Sequence, residues 1–229
     1  MIKKILYKCR GGASAFKLRL KATGKQKIFC IGRNKTGTTS IGRAFVDLGF
    51  VVGSERKAEI LYDQHYFLGN FDPIIRYCRS AQVFQDVPFS CPDTYKHMDQ
   101  AFPGSKFILT VRDDAEQWYR SITRFHAKRF GLNGRIPTYE DLKKADYILA
   151  GFMLNGLRIH GTSREDPYNE VILKAHYNAY NAQVQKYFKG REQDLLIINI
   201  AEEGAYQKFI DFIGVDSQGI SDFPWVNKT

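Results

Sequence analysis

The first 27 residues contain no acidic side chain, yet they carry nine Lys or Arg. That imbalance accounts for most of the formal charge of +10 and leaves the part from Ile28 onward close to neutral. The basic balance therefore describes a tail. No RNA-recognition or zinc-finger signature follows it, so nucleic acid is not an expected partner. Long hydrophobic runs are also missing. None approaches the ~20 residues that span a bilayer, and the start lacks the continuous apolar core of a signal peptide. Cysteine is scarce: Cys9, Cys30, Cys78 and Cys91 form no C-x-x-C pair and no zinc spacing with a histidine. Such unpatterned thiols suit a reducing cytoplasm, the expected location, better than a secreted disulfide scaffold.

Repeats, low-complexity tracts and interdomain linkers are absent too. What remains is 229 residues that are 44% hydrophobic and 14% aromatic, enough for one folded α/β domain with a substantial core. Residues 1–26 read as a basic tail and 27–229 as a single domain, with a helical insert around 130–190. In the tail, Ile2, Ile5, Leu6 and Cys9 share a helical face until Gly11-Gly12. Such a start can touch an anionic membrane surface peripherally or bind a polyanion. The plainer alternative is a solvated tail partly docked on its own domain.

The chain is organised around Lys27–Gly42. Ile28-Phe29-Cys30-Ile31-Gly32 is an apolar run suited to a strand buried on both faces. Arg33-Asn34-Lys35-Thr36-Gly37-Thr38-Thr39-Ser40 is a polar loop, and Ile41, Phe45 and Leu48 then return at helical spacing. Strand, glycine loop and helix together aim backbone N–H groups at an anion. The spacing nearly fits a P-loop, but Thr38 stands where an NTPase has its lysine, and Lys35 sits three residues earlier.

Further strands are expected at Gly49–Gly53, Ala81–Gln85, Lys106–Val111 and Leu195–Ile200. Helices are expected near Ala58–Tyr66, Pro73–Arg79, Ala115–Phe130, Tyr139–Leu157, Tyr168–Phe188 and Tyr206–Ile213. This alternation predicts a three-layer α/β fold of P-loop type, with a parallel sheet of about five strands between helices. Ligands of such sheets bind beyond the carboxyl ends of the strands, where Arg33–Thr39, Asp86 and Arg112 all fall.

Lys-Thr-Gly-Thr-Thr-Ser after a strand resembles the 5′-phosphosulfate loop of the sulfotransferases, which use 3′-phosphoadenosine 5′-phosphosulfate (PAPS) and release 3′-phosphoadenosine 5′-phosphate (PAP). The resemblance runs from Lys27 to Lys228, strongest at the loop and at 106–121. It implies donor contacts from Arg33, Asn34, Lys35, Thr36, Gly37, Thr38, Thr39 and Ser40, with no metal required. Lys35 would meet the oxygen bridging phosphate and sulfonyl group. Arg112 and Ser121 match a strand-end Arg and a helix Ser that grip the donor's 3′-phosphate, with one extra residue between them assigned to the turn before the helix. Phe223-Pro224-Trp225-Val226-Asn227-Lys228 resembles the closing segment of a bacterial-type branch, making Lys228 a further 3′-phosphate contact. Cytosolic relatives carry a tryptophan after the two threonines to stack on adenine; Ser40 stands there instead.

The resemblance also implies a base at Asp86, where cytosolic relatives have His, with Pro88 two residues on. Asp86 could alternatively pair with Lys35 or cap a turn. Glu59 and His65 are the alternatives for the base, and with Tyr62 and Phe125 they are candidates for binding a small-molecule, glycan or glycolipid acceptor. Two rival readings remain at this level. One is a P-loop kinase or NTPase, with Asp113 ending a Walker B-like strand; the other is a polyanion- or membrane-binding module built on the tail.

Overall fold

In a computed structural model of the chain, residue 20 and residues 22–224 are described. Four strands form one sheet: β1 (Ile28–Cys30), β2 (Val83–Phe84), β3 (Lys106–Thr110) and β4 (Leu195–Ile198). Their order is β2-β1-β3-β4 and every pairing is parallel. The crossover from β1 goes to one side for β2 and to the other for β3. The loop after β1 therefore opens at the topological switch point of the sheet.

The expected strand at Gly49–Gly53 is reduced to one parallel bridge, Val52 to Val83. Gly49 is left-handed at φ 81°, which ends the helix before it and leaves too short a stretch for a ladder. The sheet thus has four strands where five were expected. A longer departure lies in the insert. Tyr139–Leu157 is not one helix: it breaks into two short ones, Tyr139–Lys144 and Asn155–His160, joined by a strap of bends and turns and a 3-10 turn at Phe152–Leu154. Gly151, at φ 76°, starts that turn.

The nine α-helices of the described residues are α1 (Thr38–Asp47), α2 (Glu55–His65), α3 (Asp72–Tyr77), α4 (Thr94–Ala101), α5 (Ala115–Phe130), α6 (Tyr139–Lys144), α7 (Asn155–His160), α8 (Glu170–Tyr187) and α9 (Ala205–Ile213). No helix among the described residues is long and apolar enough to cross a membrane. Most of the basic tail, and Trp225–Lys228, lie outside the described residues.

Side-chain alternation along β1 divides the core into two layers. Ile28 and Cys30 face α1 and α9, meeting Ile41, Phe45 and Phe209. Phe29 and Ile31 face the opposite side, with Phe84, Phe107, Tyr95 and Tyr180. A third cluster, around Trp118, Leu142, Leu173 and Tyr177, packs the insert on α5. Cys30, Cys78 and Cys91 are free and buried.

Phe29 is the hub of the second layer. Fully buried, its ring lies 5.5–6.0 Å from those of Phe84, Phe89, Phe102 and Phe107. Phe29→Ala is expected to destabilise the fold by about 3–5 kcal/mol, read from the shift of the guanidinium unfolding midpoint.

Candidate active site

The loop between β1 and α1 is held by its carbonyls. Three in succession accept from side chains: Thr36 Oγ1 donates to Arg33 O at 2.5 Å, Trp118 Nε1 to Asn34 O at 2.9 Å, and Arg112 Nε to Lys35 O at 2.8 Å. Tyr180 Oη donates to Ile31 O at 2.6 Å just before them. Peptide oxygens engaged in this way turn N–H groups of the loop in the other direction, the arrangement of an anion nest, although the Thr36 amide donates back to Arg33 O at 3.3 Å.

Two glycines let the loop fit. A Cβ on Gly32 would lie 1.9 Å from Thr110 Oγ1 and 2.6 Å from Thr110 N, so only glycine allows β1 to exit this close to β3. Gly37 stands at φ 103° beneath Ile200, a conformation that side chains rarely adopt. Lys35 is itself left-handed at φ 71°, which places it at the crown.

α1 then begins with no side-chain cap and no acid in its first turn. The amides of Ser40 and Ile41 turn back to Gly37 O, while those of Thr38 and Thr39 have no partner among the described residues. An uncapped helix start beside a loop whose carbonyls are already engaged attracts anions through both its N–H groups and its dipole. Thr38 and Ser40 are buried in this turn and Thr39 is exposed.

α5 supplies the facing wall. Trp118, Ser121 and Phe125 recur at helical spacing, and Lys35 Nζ sits 3.9 Å from the Phe125 ring centre. Burial, then the nearby Arg112 charge, lower the Lys35 ammonium to about 8. Ser121 Oγ is buried without a hydrogen-bond partner. An orphaned hydroxyl one turn along the helix from Phe125, two free amides and a guanidinium fit a phosphate-bearing ligand.

Arg33 is turned inward. Only 3% exposed, it donates from Nη1 to Ser90 O and from Nη2 to His160 Nε2 at 3.0 Å. The accepting His160 nitrogen must carry no proton, and burial with the Arg33 charge holds His160 well below the usual histidine range. Arg33 therefore ties the loop to the end of α7, with its guanidinium engaged inside the fold. Thr36 is buried too, its hydroxyl 2.5 Å from Thr110 Oγ1.

On the far side of the loop lie the carboxylates. Asp86, left-handed at φ 61°, accepts from Asn34 Nδ2 at 2.8 Å and from Val87 N at 2.7 Å. It forms no ion pair with Lys35 among the described residues. Burial pushes the pKa of Asp86 up from the ordinary carboxylate value, against these two bonds and the Arg33 charge. Glu59 on α2 is 7% exposed, and burial pushes it up to about 7, with Asp86 and Glu55 adding to the shift. Glu55 accepts from Gln85 Nε2 at 2.5 Å and is raised by burial and by Asp86. Tyr62 is buried against Tyr66, Phe67 and Phe152, whereas His65 ends α2 half-buried. Lys228 lies outside the described residues.

A family model described as a sulfotransferase domain matches residues 27–229. The chain belongs to that family. Its general chemistry is sulfonyl transfer, and the fold suits the P-loop type of sheet the family carries. No curated protein matches the chain. Within this sulfotransferase domain, Trp118, Ser90, His160, Glu55 and Tyr147 were missed from sequence. Each meets the site through a contact spanning 30 or more residues, and no local spacing marks them.

Glu59 gives the site a pH signature. Its folded-state affinity for a proton exceeds that of the unfolded chain, so the stability it contributes is complete below about 4.5 and lost as pH rises through about 7. Glu59→Gln should remove this slope and be the more stable protein at pH 8, by up to on the order of 3 kcal/mol. Urea titrations of both proteins at pH 5 and pH 8 measure it.

Proposed function

We propose that the chain transfers a sulfonyl group from PAPS to an acceptor hydroxyl or amine by in-line displacement. The observation that carries this reading is the shared wall of α5: Lys35 rests over Phe125 one turn from the unpartnered Ser121 hydroxyl, while Arg112 holds the carbonyl of Lys35. The donor supplies an activated sulfonyl group on a phosphate leaving group. The amides of Thr38 and Thr39, with the hydroxyls of Thr38, Thr39 and Ser40, would hold that phosphate. Arg112 and Ser121 would hold the 3′-phosphate, joined by Lys228.

Lys35 would neutralise charge that develops on the bridging oxygen as its bond to sulfur breaks, an interaction strongest in the transition state. Its protonated form is required, which a lowered ammonium supplies below about pH 8. Burial between Phe125 and the loop fixes the charge in place before reaction.

Asp86 would take the acceptor's proton. Its bonds to Asn34 and Val87 N orient one carboxylate oxygen from the loop itself. A second reading gives that role to Glu59, because a base that burial holds near 7 is matched to neutral pH. The two differ in outcome: the residue whose replacement by amide abolishes the ascending limb of the pH–rate profile is the base.

A phosphate-transfer reading is disfavoured at Asp113. Both oxygens of this Walker B-like acid are engaged by side-chain amides, Oδ1 by Asn199 Nδ2 and Oδ2 by Gln117 Nε2, each at 2.5 Å. Competitive binding of PAP and ATP, with and without Mg²⁺, separates the readings; tighter, metal-dependent ATP binding would reverse them. The cytoplasm is the proposed location, and residues 1–26 are proposed as a peripheral membrane contact.

Lys35→Ala should raise the barrier to turnover by ~2–4 kcal/mol with a smaller loss of donor affinity. Arg112→Ala should instead mainly weaken PAP and PAPS, measured by calorimetry beside steady-state kinetics. In the intact protein kcat/KM for PAPS should fall as pH rises through about 8, and Lys35→Arg should remove that descending limb.

A further inference from the structure

Glu59 already has a hydroxyl on it. Tyr147 Oη donates to Glu59 Oε1 at 2.8 Å, across 88 residues of sequence. Tyr147 belongs to the strap between α6 and the 3-10 turn at Phe152–Leu154, and this strap follows one face of α2. Arg56 Nη2 donates to Ile148 O at 2.9 Å, and Asn155 Nδ2 donates to Asp63 Oδ1 at 2.8 Å. Arg56, Glu59 and Asp63 are spaced three and four residues apart, so they line up along the helix.

The Tyr147 ring packs on two others, Phe130 at 6.0 Å and Phe152 at 5.5 Å between centres. Its own exposure is 41%, against 7% for the carboxylate it covers. Tyr147 also lines a surface cavity of about 490 Å³ formed by residues 143–150, within the ~300–1,000 Å³ usual for small-molecule pockets. The ring thus has room to leave Glu59 without moving α2.

An acceptor that gives its proton to a carboxylate must first donate an O–H to it at hydrogen-bond distance. Tyr147 makes that bond in the resting protein. We propose that the Tyr147 phenol occupies the acceptor's place, and that the group admitted in its stead is an aryl hydroxyl whose ring takes over the packing on Phe130 and Phe152. The proposal rests on the acceptor-side reading above, with Glu59 as base, and deepens it by naming the acceptor class. In the step itself the phenolic oxygen gains a bond to sulfur, the donor's bridging oxygen loses one and leaves with the electron pair, and the phenolic proton passes to Glu59. An aliphatic polyol would leave the two aromatic faces unmatched. An anionic acceptor would meet the fields of Asp86 and Glu55, which already oppose ionisation at Glu59.

Titration of 4-nitrophenol into the full-length protein at about pH 6, where the probe is the neutral phenol, with and without PAP, tests this by absorbance. Tyr147→Ala should bind it about tenfold more tightly than wild type, because the resident phenol no longer competes. Tyr147→Phe keeps the ring and loses only the competing hydroxyl, so it should fall between the two and serves alone if Tyr147→Ala does not fold. Methyl glucoside, a hydroxyl donor without an aromatic face, should gain nothing from either substitution. Equal 4-nitrophenol affinity in all proteins that fold, or an equal gain for the glucoside, overturns the proposal. Absence of PAP binding by wild type would count against the donor reading instead, and the nitrophenol comparison made without PAP still decides the slot.

Discussion

Three consecutive peptide oxygens, those of Arg33, Asn34 and Lys35, are each fixed by a side-chain donor. The rest of the site depends on this. A glycine-bearing loop left to itself samples many conformations, and its N–H groups converge only if something orients the peptide planes. Here the orientation is imposed from behind, by Thr36, Trp118 and Arg112, so that no ligand has to impose it. A binding surface organised in advance loses less affinity to ordering and holds its dipoles fixed through a reaction.

The same constraint sets apart the two sides of the loop. Toward α5, burial and Arg112 weaken the hold of Lys35 on its proton. Toward α2, burial strengthens the hold of Glu59, Glu55 and Asp86 on theirs, with the Asp86 charge adding to it at Glu55 and Glu59. Cation and carboxylates thus come closer in proton affinity than in water, without an ion pair forming between Lys35 and Asp86. A pair would cancel the field that either side could exert on a ligand between them.

Much of this is legible in the amino-acid sequence. The strand–loop–helix stretch, the displaced lysine and the β3 to α5 segment are local patterns, and local patterns survive folding. The helix Ala115–Phe130 has the bounds its spacing suggested. Gly49–Gly53 misled because its apolar run was read without weighing the glycines that close it at both ends. Tyr139–Leu157 misled because helical spacing continues past Lys144, where the helix stops, and the left-handed Gly151 then opens a separate 3-10 turn. Arg33 was read as facing a ligand since it lies in the loop; that it faces His160 instead is a fact of two segments 127 residues apart, which no window of sequence contains. Trp118 and Tyr147 were out of reach for the same reason.

The inward guanidinium of Arg33 has a wider consequence. Its partners sit on the turn after β2 and on α7, and the neighbouring oxygen of Ile31 is held from α8. The insert and the turn after β2 are therefore also the scaffolding behind the loop. Variation there cannot be neutral toward the loop's geometry. A lineage drifting toward a new acceptor would have to change through α7 and α8 while keeping those few props, which makes the insert evolvable in its outward faces and frozen in its inward ones.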